Sequence, residues 1–100
     1  MENLILWEIN ADYDPRDPKE RSKLHTQLLE VVKADIDSGM HSAWGMSAGG
    51  HSGYMISKLQ GEKLFMSLSR FIPVIDFTVT PMLSIDEAIS SMKQMEKQAR

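Results

Sequence analysis

The stretch from Gly39 to Leu59 constrains this chain most. Met40-His41-Ser42-Ala43-Trp44-Gly45-Met46-Ser47 and Ser52-Gly53-Tyr54-Met55-Ile56-Ser57-Lys58-Leu59 flank the turn Ala48-Gly49-Gly50-His51. Two strand-like runs joined by a glycine-rich turn read as a β-hairpin. Helix-like segments lie on either side of it and further strand-like runs lie beyond those, so the chain is nearly symmetric about the turn. The loop length leaves two registers open. A three-residue loop puts Trp44, Met46, Tyr54 and Ile56 on one face, whereas a four-residue loop sets Trp44 opposite Met55. Trp44 lines an apolar layer in either case.

Outside the hairpin, Leu4 to Asn10 alternates Ile5, Trp7 and Ile9 with Leu4, Leu6, Glu8 and Asn10, the period of a strand. Ala11 to Arg16 has loop chemistry. Asp17-Pro18-Lys19-Glu20 supplies an N-cap, a proline at the first helical position and a glutamate three residues after the cap. The helix that follows runs to about Ser38, with Leu24, Leu28, Val31, Val32 and Ile36 as its apolar stripe, Leu29 widening it, and charged residues turned mostly outward. Gly39 stands where a left-handed residue ends a helix. Gly61 to Phe71 reads as a shorter helix ended by Pro73, and Ile75 to Thr80 as a strand closed by Pro81 at an edge or end position. Ser84-Ile85-Asp86-Glu87 is a capping box, and Ile85, Ala88, Ile89, Met92 and Met95 give a last helix that packs one face and frays from Glu96.

The order β-α-β-β-α-β-α over residues 1–100 is one α+β domain, a split βαβ (ferredoxin-like βαββαβ) pattern with an extra C-terminal helix. Right-handed crossovers place the first and third strands at the centre of a four-stranded antiparallel sheet and the second and fourth at its edges. Two helices cover one face. The other carries Leu4 and Leu6, so something should cover it.

Composition narrows the partners. The chain has 42% hydrophobic and 25% charged residues, the balance of a globular domain, and a single core of this length gains from dimerisation. A formal charge of −3 gives no footprint for nucleic acid. The absence of cysteine removes disulfides, thiolate metal sites and thiol catalysis, in keeping with a cytoplasmic location. Leu4-Ile5-Leu6-Trp7 is too short for a signal segment, and no run approaches a membrane span.

Several side chains are candidates for chemistry. Pairing bulky with bulky across the first and fourth strands sets Trp7 opposite Phe77 and Ile5 opposite Val79 on the helix-covered face, and Glu8 opposite Asp76 on the open face. Two carboxylates about 5 Å apart repel, so under a covering partner sheet one would keep its proton, which makes either a general acid–base pair or a hard-cation site; left at the rim they are ordinary solvated acids. Asn10, Thr78 and Thr80 add neutral hydrogen-bonding groups. His25 falls beside the apolar stripe and is a second candidate base, its alternative being a boundary histidine. Trp44 and Tyr54 are read either as walls of a pocket for a planar ligand or as aromatic core. His41 and His51 lie at opposite ends of one hairpin arm and cannot share a metal; His51 is read as a solvent-facing turn residue. Gly49-Gly50 is hairpin punctuation, since no helix or lysine follows as a phosphate loop requires. Ser67 and Ser69 have no histidine nearby in sequence to activate them.

The order of elements, the run Trp44-Gly45-Met46-Ser47 entering a glycine-rich hairpin, and Asp76-Phe77-Thr78-Val79-Thr80-Pro81-Met82-Leu83 before a capped helix together resemble the dimeric α+β barrel superfamily. Within it the chain is similar to small muconolactone-isomerase-like domains. The resemblance implies two sheets packed face to face around a pocket, in a superfamily that includes isomerases, cofactor-free monooxygenases and haem-degrading enzymes. Haem degraders use a first-strand asparagine, a place Asn10 could take, together with a tryptophan and a histidine on the second half of the fold. No histidine follows Leu59, so that activity is not carried over and no cofactor is expected. The expectation is a homodimer that binds a small organic molecule and catalyses a cofactor-free proton transfer such as an isomerisation. Glu8, His25 and Asp76 are the candidate catalytic residues, and Asn10, Trp44, Tyr54 and Thr78 the ligand contacts. The alternative is a non-catalytic homodimeric binding or interaction module, and a cofactor-free monooxygenase comes third.

Overall fold

A computed structural model describes residues 1–99. In chain order it contains β1 (Glu2–Ile9), α1 (Pro18–Asp37), β2 (His41–Met46), β3 (Ser52–Ser57), α2 (Gly61–Ser69), β4 (Ile75–Met82) and α3 (Ile85–Gln98). The strands form one antiparallel sheet in the order β2-β3-β1-β4, compatible with the ferredoxin-like arrangement.

The pattern of β1 fixes which face is covered. Ile5 is fully buried and Trp7 nearly so, while Leu6 between them is 51% exposed. Across the β1–β4 ladder Trp7 pairs with Phe77, Ile5 with Val79 and Glu8 with Asp76, the register expected from matching bulky residues. On the covered side Ile5 and Met55 pack with Leu64 and Leu68 of α2, and Trp7 packs with Phe71 and Ile75. Trp44 and Phe77 touch both groups and join them into one core.

The hairpin adopts the four-residue alternative: Trp44 faces Met55, Gly45 faces Tyr54 and Met46 faces Gly53. Two glycines make room for rings on opposite faces of this ladder. A Cβ on Gly53 would meet the Trp7 indole and the Gly45 carbonyl on the covered side, and a Cβ on Gly45 would meet the Tyr54 ring on the open side.

α1 starts as its sequence dictates. The Asp17 carboxylate accepts a hydrogen bond from the Glu20 amide at 3.0 Å, Pro18 occupies the first turn, and Gly39 takes the left-handed conformation (φ +84°) just past the end. Its buried stripe differs from the expected one: Val31 is exposed and Asp35 is buried. Asp35, in the last turn, pairs with Arg70, the residue that follows α2. α2 ends at Ser69, two residues before the expected Phe71, which sits in the turn leading to β4. β4 does not stop before Pro81; it continues through Pro81, opposite Asn3, to Met82. An edge strand allows this, because a proline nitrogen facing away from the ladder costs no hydrogen bond.

α3 departs furthest from expectation. Its capping box forms, with the Ser84 hydroxyl accepting from the Glu87 amide at 3.1 Å and the Ser84 amide donating to the Glu87 carboxylate at 3.0 Å. The helix extends past Glu96 to Gln98 instead of fraying. Yet it packs no face: none of its residues is buried, and the molecule measures 62 × 27 × 26 Å. α3 has the stripe of a packing helix without anything in its own chain to pack on.

Candidate functional site

The covered side of the sheet is not filled completely. Between α1, the sheet and the hairpin tip lies an apolar cleft bordered by Trp7, His25, Leu28, Trp44, Met46 and Phe77. The space open to the centre of a water-sized sphere is about 80 Å³. One water needs about 10–15 Å³ by that measure, so the cleft has room for a small planar molecule. The indoles of Trp7 and Trp44 stack in its wall, with ring centroids 5.6 Å apart and planes 10° from parallel. This gives the cleft a flat, rigid side. The Trp7 Nε1–H is buried and has no hydrogen-bond partner, a cost of about 1–3 kcal/mol for a donor of this kind.

One titratable pair borders this apolar space. His25, in the second turn of α1, places Nε2 2.7 Å from Oδ1 of Asp14 in the preceding loop, with side chains 30% and 13% exposed. A carboxylate only accepts, so in the neutral ring the proton sits on Nε2 and the lone pair on Nδ1. A carboxylate that orients an imidazole and leaves the second nitrogen basic is the arrangement of a general base. The β1–α1 loop supplies Asp14 because the Asn10 side-chain oxygen accepts from the Asp12 amide at 3.0 Å and the Tyr13 amide donates to the Asn10 carbonyl at 3.1 Å, turning the chain back toward α1.

The other sequence candidates are distributed over both faces. Glu8 and Asp76 are register partners on the open face and both are exposed. Thr78, opposite Leu6, is exposed on that face as well. Asn10 uses its side chain in the loop turn just described. Tyr54 pairs with Leu6 on the open face and is 42% exposed, so it stands across the sheet from Trp44 and the two rings cannot wall one pocket. The four-residue loop is the reason, since it puts consecutive hairpin positions on alternate faces. His51 is exposed at the turn. The structure therefore brings together His25 and Trp44 and separates them from Glu8, Asp76, Tyr54 and Thr78.

A second polar group lies where α1 meets the end of α2; its Asp35, His41 and Ser67 are buried and its Arg70 is exposed, and Asp35 and Arg70 were not singled out from the sequence. Arg70 clasps Asp35 with two hydrogen bonds, Nη1 to Oδ1 at 3.2 Å and Nη2 to Oδ2 at 2.5 Å, and donates to the Ser67 carbonyl and hydroxyl at 2.8 and 3.0 Å. His41, 3% exposed, lies with Nε2 3.7 Å from Asp35, and its Nδ1 has no partner. Burial pushes the His41 pKa below its ordinary value; the Asp35 carboxylate opposes this and the Arg70 guanidinium adds to it. The Ser67 hydroxyl is occupied by Arg70 and by the Met40 sulfur at 3.5 Å. These contacts fasten α1 to the end of α2 and occupy the Ser67 hydroxyl. Asp14, Asp35 and Arg70 carried no periodic signal; only their residue types marked them, and in loops and at helix ends charged residues are ordinary.

Among the described residues no three His, Asp or Glu side chains gather as a metal site would require, and no helix is long and apolar enough to cross a membrane. No family profile matches the chain, and no curated protein shows significant similarity to it.

Proposed function

We propose that this chain binds a small, planar, uncharged carbonyl compound in the cleft under α1 and moves a proton on it without a cofactor, as an isomerase does. The observation that carries the reading is the Asp14–His25 pair at the border of an apolar space walled by stacked indoles. His25 Nδ1 would take a proton from the carbon beside the carbonyl. The electron pair of that C–H bond would pass to the carbonyl oxygen as an enolate, which in a β,γ-unsaturated ketone extends over the adjoining double bond, and the same imidazolium would return the proton to the γ-carbon, moving the double bond into conjugation with the carbonyl. Glu8 and Asp76 have no part in this reading, which uses His25 and Trp44 of the residues expected from sequence.

The test is deuterium exchange at the α-carbon of 2-tetralone in D₂O, followed by NMR with the full chain. The expected result is exchange faster than buffer, falling by about 10²-fold or more in His25→Gln, the range a general base supplies. Asp14→Asn should fall by a smaller factor, and Trp44→Ala should weaken ketone binding as read by tryptophan quenching. Exchange no faster than buffer, or unchanged in His25→Gln, would rule the reading out.

A second reading, a homodimeric interaction module without catalysis, is favoured by a separate observation: Leu6 and Tyr54 are exposed on the open face with Leu4 and Ile56 half-buried beside them. The homodimer belongs to both readings, and the barrel of facing sheets is the form that the resemblance gives it. Sedimentation of the full chain across a concentration series checks it.

A further inference from the structure

Two apolar surfaces of this chain lack a cover. One is the stripe of α3, where Ile85 is 74%, Ile89 47%, Met92 63% and Met95 59% exposed. The other is the open face of the sheet around Leu4, Leu6, Tyr54 and Ile56. Surfaces of this kind on soluble chains mark interaction sites. A barrel closed by two sheets alone would cover the second and leave the first bare.

Charge and spacing relate the two surfaces. Glu8 and Asp76 stand side by side at one end of the open face, and neither joins an ion pair among the described residues. Lys93 and Lys97, one turn apart, flank the α3 stripe and are likewise in no ion pair among the described residues. Along a strand at about 3.3 Å per residue, Leu6 and Leu4 lie roughly 7 and 13 Å from Glu8. Along a helix at 1.5 Å per residue, Ile89 and Ile85 lie about 6 and 12 Å from Lys93. The apolar-to-charged spacing is therefore the same on both surfaces, with opposite charge.

We infer that α3 of one copy lies along β1 on the open face of a second copy. Ile85 and Ile89 cover Leu4 and Leu6, and Lys93 and Lys97 meet Glu8 and Asp76. A two-fold axis repeats the contact. The inference rests on the homodimer of the preceding reading and replaces contact between sheets by a helix on each sheet. Exchange of a terminal helix needs little new structure, because Leu83 and Ser84 alone separate β4 from α3 and already carry it clear of its own core. The lysines also answer the repulsion of the carboxylate pair, so attachment and charge balance come from one contact.

The test mixes equal amounts of unlabelled and ¹⁵N-labelled full chain, joins adjacent amines and carboxylates with a zero-length carbodiimide, and reads the linked peptides by mass spectrometry. Mixed-isotope peptides linking Lys93 or Lys97 to Glu8 or Asp76 are expected. In sedimentation, Met92→Asp should raise the dimer dissociation constant at least tenfold. Lys93→Glu should weaken the dimer, and Lys93→Glu with Glu8→Lys should restore it. Met92 is exposed in the single chain, so its replacement leaves the fold intact. A monomer at every concentration would overturn both this contact and the homodimer. A dimer indifferent to Met92→Asp, or linked instead from Lys93 to Glu62 beside the groove between α2 and β4, would overturn the contact and leave the homodimer standing.

Discussion

His41 shows how one buried side chain can make stability depend on pH. Its folded pKa is depressed, chiefly by burial, so the unfolded chain binds its proton more readily than the folded one. The contribution of neutral His41 is complete above its unfolded value near 6.5 and is lost as pH falls from there toward the folded value. One proton limits the slope to about 1.4 kcal/mol per pH unit. Denaturant midpoints between about pH 7.5 and 5 should therefore fall for the wild type and fall less steeply for His41→Gln. Equal slopes for the two proteins would mean that other groups govern the acid side. Asp35 and Arg70 are the charged groups that face His41.

At the level of elements, the β2–β3 hairpin depends on glycine where rings need the space. Gly53 is enclosed by the Trp7 indole on one side and the Gly45 carbonyl on the other, both within contact of a Cβ that is not there. The nearest atoms to a Cβ on Gly45 belong to the ring of Tyr54, a side chain that is 42% exposed. Gly53→Ala should cost about 1–3 kcal/mol, the usual range for overpacking against groups that cannot move. Gly45→Ala should cost clearly less. Denaturant midpoints of the two variants measure this, and equal losses would place the strain elsewhere. Since Trp7 also walls the cleft, Gly53→Ala should shift its fluorescence while Gly45→Ala leaves it unchanged.

For the whole molecule, α3 buries nothing in its own chain, so the sheet and two helices should fold without it. A chain ending at Met82 should unfold cooperatively, with a midpoint that does not vary with concentration and that matches the full chain at high dilution. The full chain should gain stability as concentration rises, because association stabilises by mass action. Thermal melts of both chains over about a hundredfold concentration range test this, since occupancy at 100 times the dissociation constant corresponds to about 2.7 kcal/mol. A shortened chain that fails to fold would mean α3 supports the core through contacts the single chain does not make.

The sequence by itself determined the element order, the sheet order and the β1–β4 register. The element order follows from local periodicity and caps, the sheet order from the handedness of the crossovers, and the register from matching the bulky side chains that alternate on β1 and β4. It also marked His25 and Trp44, because one sits beside the stripe of α1 and the other within an apolar strand. The tertiary structure alone decided the hairpin register, since both loop lengths satisfy the local pattern and only packing on Trp7 selects one. It decided as well that Asp14 reaches His25 across the β1–α1 loop and that Asp35 turns inward to Arg70. Such pairings depend on where separate segments meet in space, and no period along the chain encodes that. For α3 the helix was legible and its placement was not: an apolar stripe states that a face must be covered, while the position of the rest of the molecule decides whether its own chain can cover it.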